Sequence, residues 1–262
     1  GEALQKALEG IRAERDYEVC DERPYRADGA GYINKTRTRL YVYDMASGAL
    51  EAVTEPHFAV TAFCVSQDGR TAYYAGESYS VAQTFDEGLY AYAAADNATH
   101  ELCRPGLQVG GVAEAGGRVW FTTMNSTFDT DIWSVPRTGG NGTLELAVEE
   151  DLGFQNSGDA CRGGGTAFAG HGDYLYFVKS DRHGAHLFRM ASGGAPERLS
   201  DEHVWVNHFA VEQSGRVLCA GLPAFGMMEV FAVENGKSAV LTHLNDATMQ
   251  KYEFVRPQYL PF

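Results

Sequence analysis

The chain has 262 residues, 44% of them apolar, with 21 Lys and Arg against 35 Asp and Glu and a net charge of −14. That length and apolar share suffice for one sizeable core, while the acidic balance, unbroken by any basic run, excludes nucleic acid and anionic membrane as expected partners. No apolar stretch approaches the ~18 residues of a membrane span, and the first residues, Gly1 to Lys6, hold no signal-peptide core, so a soluble, cytoplasmic protein is expected.

Residues 2–15 carry Leu4, Ala7, Leu8 and Ile11 at three- and four-residue intervals among charged residues, which predicts one amphipathic helix. After Tyr17-Glu18-Val19 and a loop, Asp21 to Ala30, comes the first of five similar strands: Leu40-Tyr41-Val42-Tyr43, Leu89-Tyr90-Ala91-Tyr92, Ile132-Trp133-Ser134-Val135, Leu187-Phe188-Arg189-Met190 and Val230-Phe231-Ala232-Val233. These anchors begin 43 to 55 residues apart, a period expected of propeller blades. Each is followed by a turn and a return strand, as in Ala46-Ser47-Gly48 before Ala52-Val53-Thr54, and Asn235-Gly236 before Val240-Leu241-Thr242.

Upstream of four anchors lies a hairpin with Gly in its turn, around Gly69, Gly116-Gly117, Gly172 and Gly215, where a positive φ is needed. Alternating apolar and polar residues on both arms give two-faced strands, and four short strands make one blade. The fold class predicted is therefore all-β: a β-propeller of four-stranded antiparallel blades, about five repeats present, with one short N-terminal helix. The first repeat has only half its upstream strands, so the chain is expected to begin within a larger propeller. The expected organisation is helix and incomplete blade over 1–35, blades over 36–248, and an exit strand or linker over 249–262.

The five cysteines, Cys20, Cys64, Cys103, Cys161 and Cys219, are scattered and odd in number, so neither a metal knuckle nor a disulfide framework fits. Buried free thiols are expected for most, since Cys64 and Cys219 fall within apolar strands. Four sequons, at Asn34, Asn97, Asn125 and Asn141, fall in expected loops and would suit a secreted glycoprotein, but without a signal sequence the reading taken is that Asn and Thr populate turns. Gly163-Gly164-Gly165 is a connection and not a phosphate loop, because no Lys follows it.

The chemistry-bearing residue types form no recognisable machinery. No G-x-S-x-G elbow occurs, and Ser47, Ser192 and Ser214 sit in turns. His183 and His186 are interrupted by Gly and lack helical spacing for a metal, while His57, His171, His203, His208 and His243 are isolated in sequence. Glu149-Glu150-Asp151 follows a return strand and reads as a solvated loop. Trp120, Tyr73, Tyr74, Tyr176 and Phe177 share one place in the repeat and read as blade core. No residue is assigned as catalytic, cofactor-binding or metal-ligating.

Several segments, in their order along the chain, resemble the non-catalytic propeller of the prolyl oligopeptidase family of serine peptidases, particularly its acylaminoacyl-peptidase and dipeptidyl-peptidase-like branch. Glu22 to Tyr32 resembles the segment preceding a strand such as Leu40 to Asp44. Pro223 to Val233 with Leu241 to Asn245 resembles the last blade, and Phe254 to Phe262 the passage into the α/β-hydrolase domain. The resemblance implies a C-terminal hydrolase domain of the same polypeptide as partner, short peptides as substrates of the parent enzyme, and a propeller that limits access by size. It carries no catalytic residue onto this sequence. A free-standing propeller binding a protein partner, and a propeller lyase or glycosidase with carboxylates or His at the axis, are the alternatives. Uncovered terminal blades would favour either a homo-oligomer or closure with fewer blades.

Overall fold

The computed structural model describes residues 2–13, 19–124, 130–147, 167–181, 184–223, 226–234 and 236–255. The chain divides into two compact units, Gly1–Val60 with Glu77–Phe85, and Thr61–Gly76 with Asp86–Phe262.

The first unit opens with helix α1 (Glu2–Ala13), as the apolar spacing predicts, and Leu4, Leu8 and Ile11 on it are exposed. Two small antiparallel sheets follow: β1 (Arg26–Ala27) with β2 (Gly31–Tyr32), and β3 (Tyr41–Tyr43) with β4 (Leu50–Ala52). The first anchor thus has its return strand but no further strand in its sheet, and that return strand falls earlier than the Ala52-Val53-Thr54 expected. The segment around Glu22 is fixed by a buried ion pair, Arg37 Nη2 to Glu22 Oε2 at 2.9 Å, with both side chains about 5% exposed or less. The Arg37 guanidinium also lies 3.7 Å from the centre of the Tyr79 ring and donates to the Tyr79 carbonyl. Such a pair tolerates burial because hydrogen bonds occupy both partners; Glu22 Oε2 also accepts the Lys35 N–H.

Four four-stranded antiparallel sheets follow in sequence order. The first is β5 (Phe58–Val65), β6 (Thr71–Ser78), β7 (Gly88–Ala93) and β8 (Ala98–Cys103); the second is β9 (Val109–Ala115), β10 (Arg118–Met124), β11 (Thr130–Pro136) and β12 (Thr143–Leu146). The third is β13 (Phe168–His171), β14 (Tyr174–Asp181), β15 (Gly184–Met190) and β16 (Glu197–Arg198); the fourth is β17 (Trp205–Val211), β18 (Val217–Leu222), β19 (Glu229–Glu234) and β20 (Lys237–Val240). In each, spatial order equals chain order, and the predicted anchor is the third strand. Among the described residues, four whole blades and the two-stranded sheet of the first anchor therefore stand where about five repeats were expected. The last return strand ends at Val240, again earlier than the Val240-Leu241-Thr242 predicted.

Period-two alternation sends neighbouring side chains to opposite faces, and both faces of a middle blade are buried. From the second blade, Val119 and Phe121 pack with Tyr73 and Leu89 of the first, while Trp120 and Ile132 pack with Leu175, Phe177 and Met190 of the third. From the third, Tyr176, Val178 and Leu187 pack with Val206, Cys219 and Phe231 of the fourth. The blades of the second unit are thus joined face to face by continuous apolar layers. Trp120, Tyr73, Tyr176 and Phe177 are buried in this packing, and Tyr74 is buried against Tyr90 of its own blade, so all five are core as predicted.

Buried carboxylates add directional links. Glu87, fully buried, accepts Thr61 Oγ1 at 2.8 Å and the Val109 N–H at 2.9 Å, linking the first strands of two blades. Glu145 accepts Ser134 Oγ at 2.5 Å, Ser192 Oγ at 2.6 Å and the Gly193 N–H at 2.7 Å, which ties the second blade to the third. Burial pushes its pKa up, but those three donors together with Arg118 hold it below the usual carboxylate range.

Beyond the fourth blade a helical turn, α2 (Asp246–Lys251), takes up the start of the segment expected as an exit strand. Asp246 in its first turn and Lys251 in its last complement the helix dipole. Residues 256–262 lie outside the described residues.

Candidate functional site

The inner end of the second unit is identified by where backbones approach most closely. Strands β8, β16 and β20 are largely exposed. The first strands β9 and β13, by contrast, lie so close that a Cβ on Gly170 would fall 1.8 Å from the Glu114 carbonyl oxygen. Only a residue without a side chain fits there. First strands therefore face the axis and fourth strands the rim.

At one end of these inner strands, turns from three successive blades meet. In the second blade Gly116 and Gly117 both adopt positive φ, +57° and +74°, the geometry of a two-residue hairpin turn. That places the Gly116 N–H 2.9 Å from the Gly172 carbonyl in the third blade. Gln67, from the turn of the first blade, reaches across both. Its backbone N–H donates to Glu114 Oε2 at 2.9 Å, its amide Nε2 donates to the Glu114 and Gly172 carbonyls at 3.3 Å each, and its Oε1 accepts the Gly172 N–H at 3.3 Å. One side chain thus bridges the first and third blades across the edge of the second.

Glu114 anchors this cluster. Its side chain is 1% exposed and paired with Arg137, from the turn following β11, whose guanidinium remains half-exposed. The hydrogen bond to Glu114 raises the Arg137 pKa. Below it, burial pushes the Cys64 thiol up to about 12, with the Glu114 charge adding to the effect, so Cys64 is an unreactive thiol. At the edge, Asp68 is held below the usual carboxylate range by the Ser66 hydroxyl and the Arg70 N–H. The assembly offers neither an activated nucleophile nor an acid–base pair. It does offer a hydrogen-bonded cluster of turns from three blades, built from backbone, Gln67 and one ion pair.

The polar residues weighed from the sequence lie elsewhere. His186 is buried on β15 and His208 sits on β17, while His57, His171 and His203 occupy turns or strand ends, and His243 lies 3.6 Å from Asp246 in the open. Among the described residues no three His, Cys, Asp or Glu side chains converge. His183, Glu149-Glu150-Asp151, Gly163-Gly164-Gly165, Cys161 and Asn125 lie outside the described residues. Ser192 does more than occupy a turn, since it binds Glu145 of the neighbouring blade. Cys219 is buried and Cys64 and Cys103 half-buried, but Cys20 is exposed, because the segment before β1 covers little. Asn34, Asn97 and Asn141 lie between strands as expected. The Gln67–Glu114–Arg137 cluster was not anticipated. Its one trace in the sequence is Glu114, an acidic residue inside the apolar run Val112-Ala113-Glu114-Ala115.

No protein-family model and no curated protein matches the sequence. Solved structures do. An acylaminoacyl peptidase of Pyrococcus horikoshii superposes with a TM-score of 0.69 at 15% identity, covering 94% of this chain and 37% of that one. The β-propeller domain of the trilobed protease from Pyrococcus furiosus gives 0.55 at 14% identity, covering 79% and 62%. TolB from Acinetobacter baumannii gives 0.53 at 12%, covering 78% and 48%. This chain spans little more than a third of the acylaminoacyl peptidase it resembles. The likeness establishes the fold: the β-propeller read from the sequence, of the kind carried by peptidases of the acylaminoacyl-peptidase type.

Proposed function

We propose that this chain is the non-catalytic propeller portion of a prolyl-oligopeptidase-family serine peptidase, limiting the access of short peptides to a catalytic domain elsewhere in the same polypeptide. The observation that carries the reading is the hydrogen-bonded cluster of inner turns. Where Gln67 bridges blades one and three, the inner turns of three blades are tied together, and a rim held in this way selects by size and not by chemistry. A cytoplasmic location accompanies this reading, since the free thiols Cys20, Cys64, Cys103 and Cys219 suit a reducing compartment.

The test compares the full-length polypeptide with its Gln67→Ala variant on a short N-blocked aminoacyl reporter and on a long unstructured peptide. Loosening the cluster of turns is expected to raise kcat/KM for the long peptide several-fold and to leave the short reporter unchanged. Absence of hydrolysis by the full-length polypeptide, or equal effects on both substrates, overturns the proposal.

A further inference from the structure

A second site lies away from the axis. Between the third and fourth blades, at the end bearing their hairpin turns, opens a cleft of about 580 Å³, within the range of small-molecule and peptide pockets. Its floor is formed by Val217, Val233 and the ring of Tyr176, all buried, with the Tyr176 hydroxyl bonded to Arg189. Its walls carry Arg189, Arg198 and Arg216 against Glu197 and Glu234, an excess of one positive charge on a chain whose net charge is −14. The local field therefore opposes that of the molecule.

The ion pairs of the walls are largely solvated. Arg189 Nε meets Glu197 Oε2 at 2.8 Å and Arg216 Nε meets Glu234 Oε1 at 2.8 Å, but both glutamate side chains are more than half exposed. Solvated pairs of this kind are worth little, and each takes up one N–H of its arginine; Arg189 also bonds the Tyr176 hydroxyl, so that it keeps fewer N–H groups than Arg216 for a further acceptor. Arg189 is further steadied by the Tyr174 ring, 4.8 Å away. A guanidinium fork suits a planar carboxylate, which it binds in bidentate fashion, and distinguishes it from a neutral amide.

We infer that this inter-blade cleft binds the free C-terminal carboxylate of a short peptide whose last side chain is apolar, the carboxylate on Arg189 and Arg216 and the side chain on Tyr176 and Val217. The site is independent of the Gln67–Glu114–Arg137 cluster and does not require the peptidase reading.

Calorimetric titration of the 262-residue chain tests it, with N-acetyl-glycyl-leucine, its C-terminal amide and inorganic phosphate as probes. The acid is expected to bind saturably and roughly tenfold or more tighter than the amide, the discrimination a charge-assisted hydrogen bond supplies. Arg216→Gln is expected to weaken the acid by a similar factor. Glu234→Gln, which removes the competing carboxylate, is expected to tighten it; because this variant retains the arginine, it keeps the test open if Arg216→Gln fails to fold. Equal binding of acid and amide, phosphate binding as tightly as the acid, weakened binding in Glu234→Gln, or no saturable heat with the acid would each overturn the inference.

Discussion

Single residues in this protein act mainly as links between segments that are distant in sequence, and Glu229 shows how strongly one carboxylate can do so. It accepts from Thr242 Oγ1, from the Leu244 and Asn245 N–H groups and from the Asn245 amide, fixing the approach to α2. The Thr242 hydroxyl first, then the backbone donors, bring its pKa down to about 2 from an ordinary 4.5. A carboxylate depressed on folding contributes stability above its unfolded pKa, and that contribution is lost as pH falls through the folded value. Denaturation midpoints of the wild type are therefore expected to drop between about pH 4.5 and pH 2. Glu229→Gln should be less stable at neutral pH and show a flatter acid limb, measured by urea titration across that window; parallel limbs would remove Glu229 from the account. Gly170 is the steric counterpart, a position where the neighbouring Glu114 carbonyl leaves no room for any side chain.

At the scale of the element, the blade is stable because its second and third strands alternate toward two neighbours. Phe177 on β14 is fully buried, stacks on Phe188 at 5.7 Å, and belongs to the apolar layer shared with the second blade. Phe177→Ala is expected to cost about 3–5 kcal/mol, as large-to-small changes in a packed core do. Leu144→Ala on the fourth strand β12, where Leu144 is 46% exposed, should stay within about 0.5 kcal/mol of wild type. Equal effects in chemical denaturation would contradict the inner-to-rim order of the strands. This alternation was legible in the sequence, since the anchors and Gly-bearing hairpins predicted there are the third strands and the first turns of the four blades. The return strands were misplaced by a few residues at both Ala52 and Val240, because fourth strands at the rim are solvated and carry little apolar pattern. Helix α2 went unread for a related reason: it buries no residue and so leaves no periodic stripe.

For the molecule as a whole, exposed apolar strand surface competes with like charge. On β5, Phe63 and Val65 are 60% and 56% exposed, although the alternate residues Ala62 and Cys64 pack toward the second blade. A net charge of −14 opposes association at low salt, and screening weakens that opposition. The weight-average mass from light scattering is expected to rise with salt, and Phe63→Glu to suppress the rise; a mass independent of salt would show that this face drives no association.

The sequence by itself determined the class of fold, the number of whole blades to within one, and which aromatics form the core, because strand periodicity and turn glycines are local properties. It also determined that no nucleophile elbow is present. Only the tertiary structure decided what meets at the axis. Gln67, Glu114, Arg137 and Gly172 come from separate hairpins, and no local pattern records that Gln67 reaches Gly172 across an intervening blade. The arginine cleft has the same origin, since Arg189 and Arg216 look in sequence like ordinary surface charges until two blades set them around one volume.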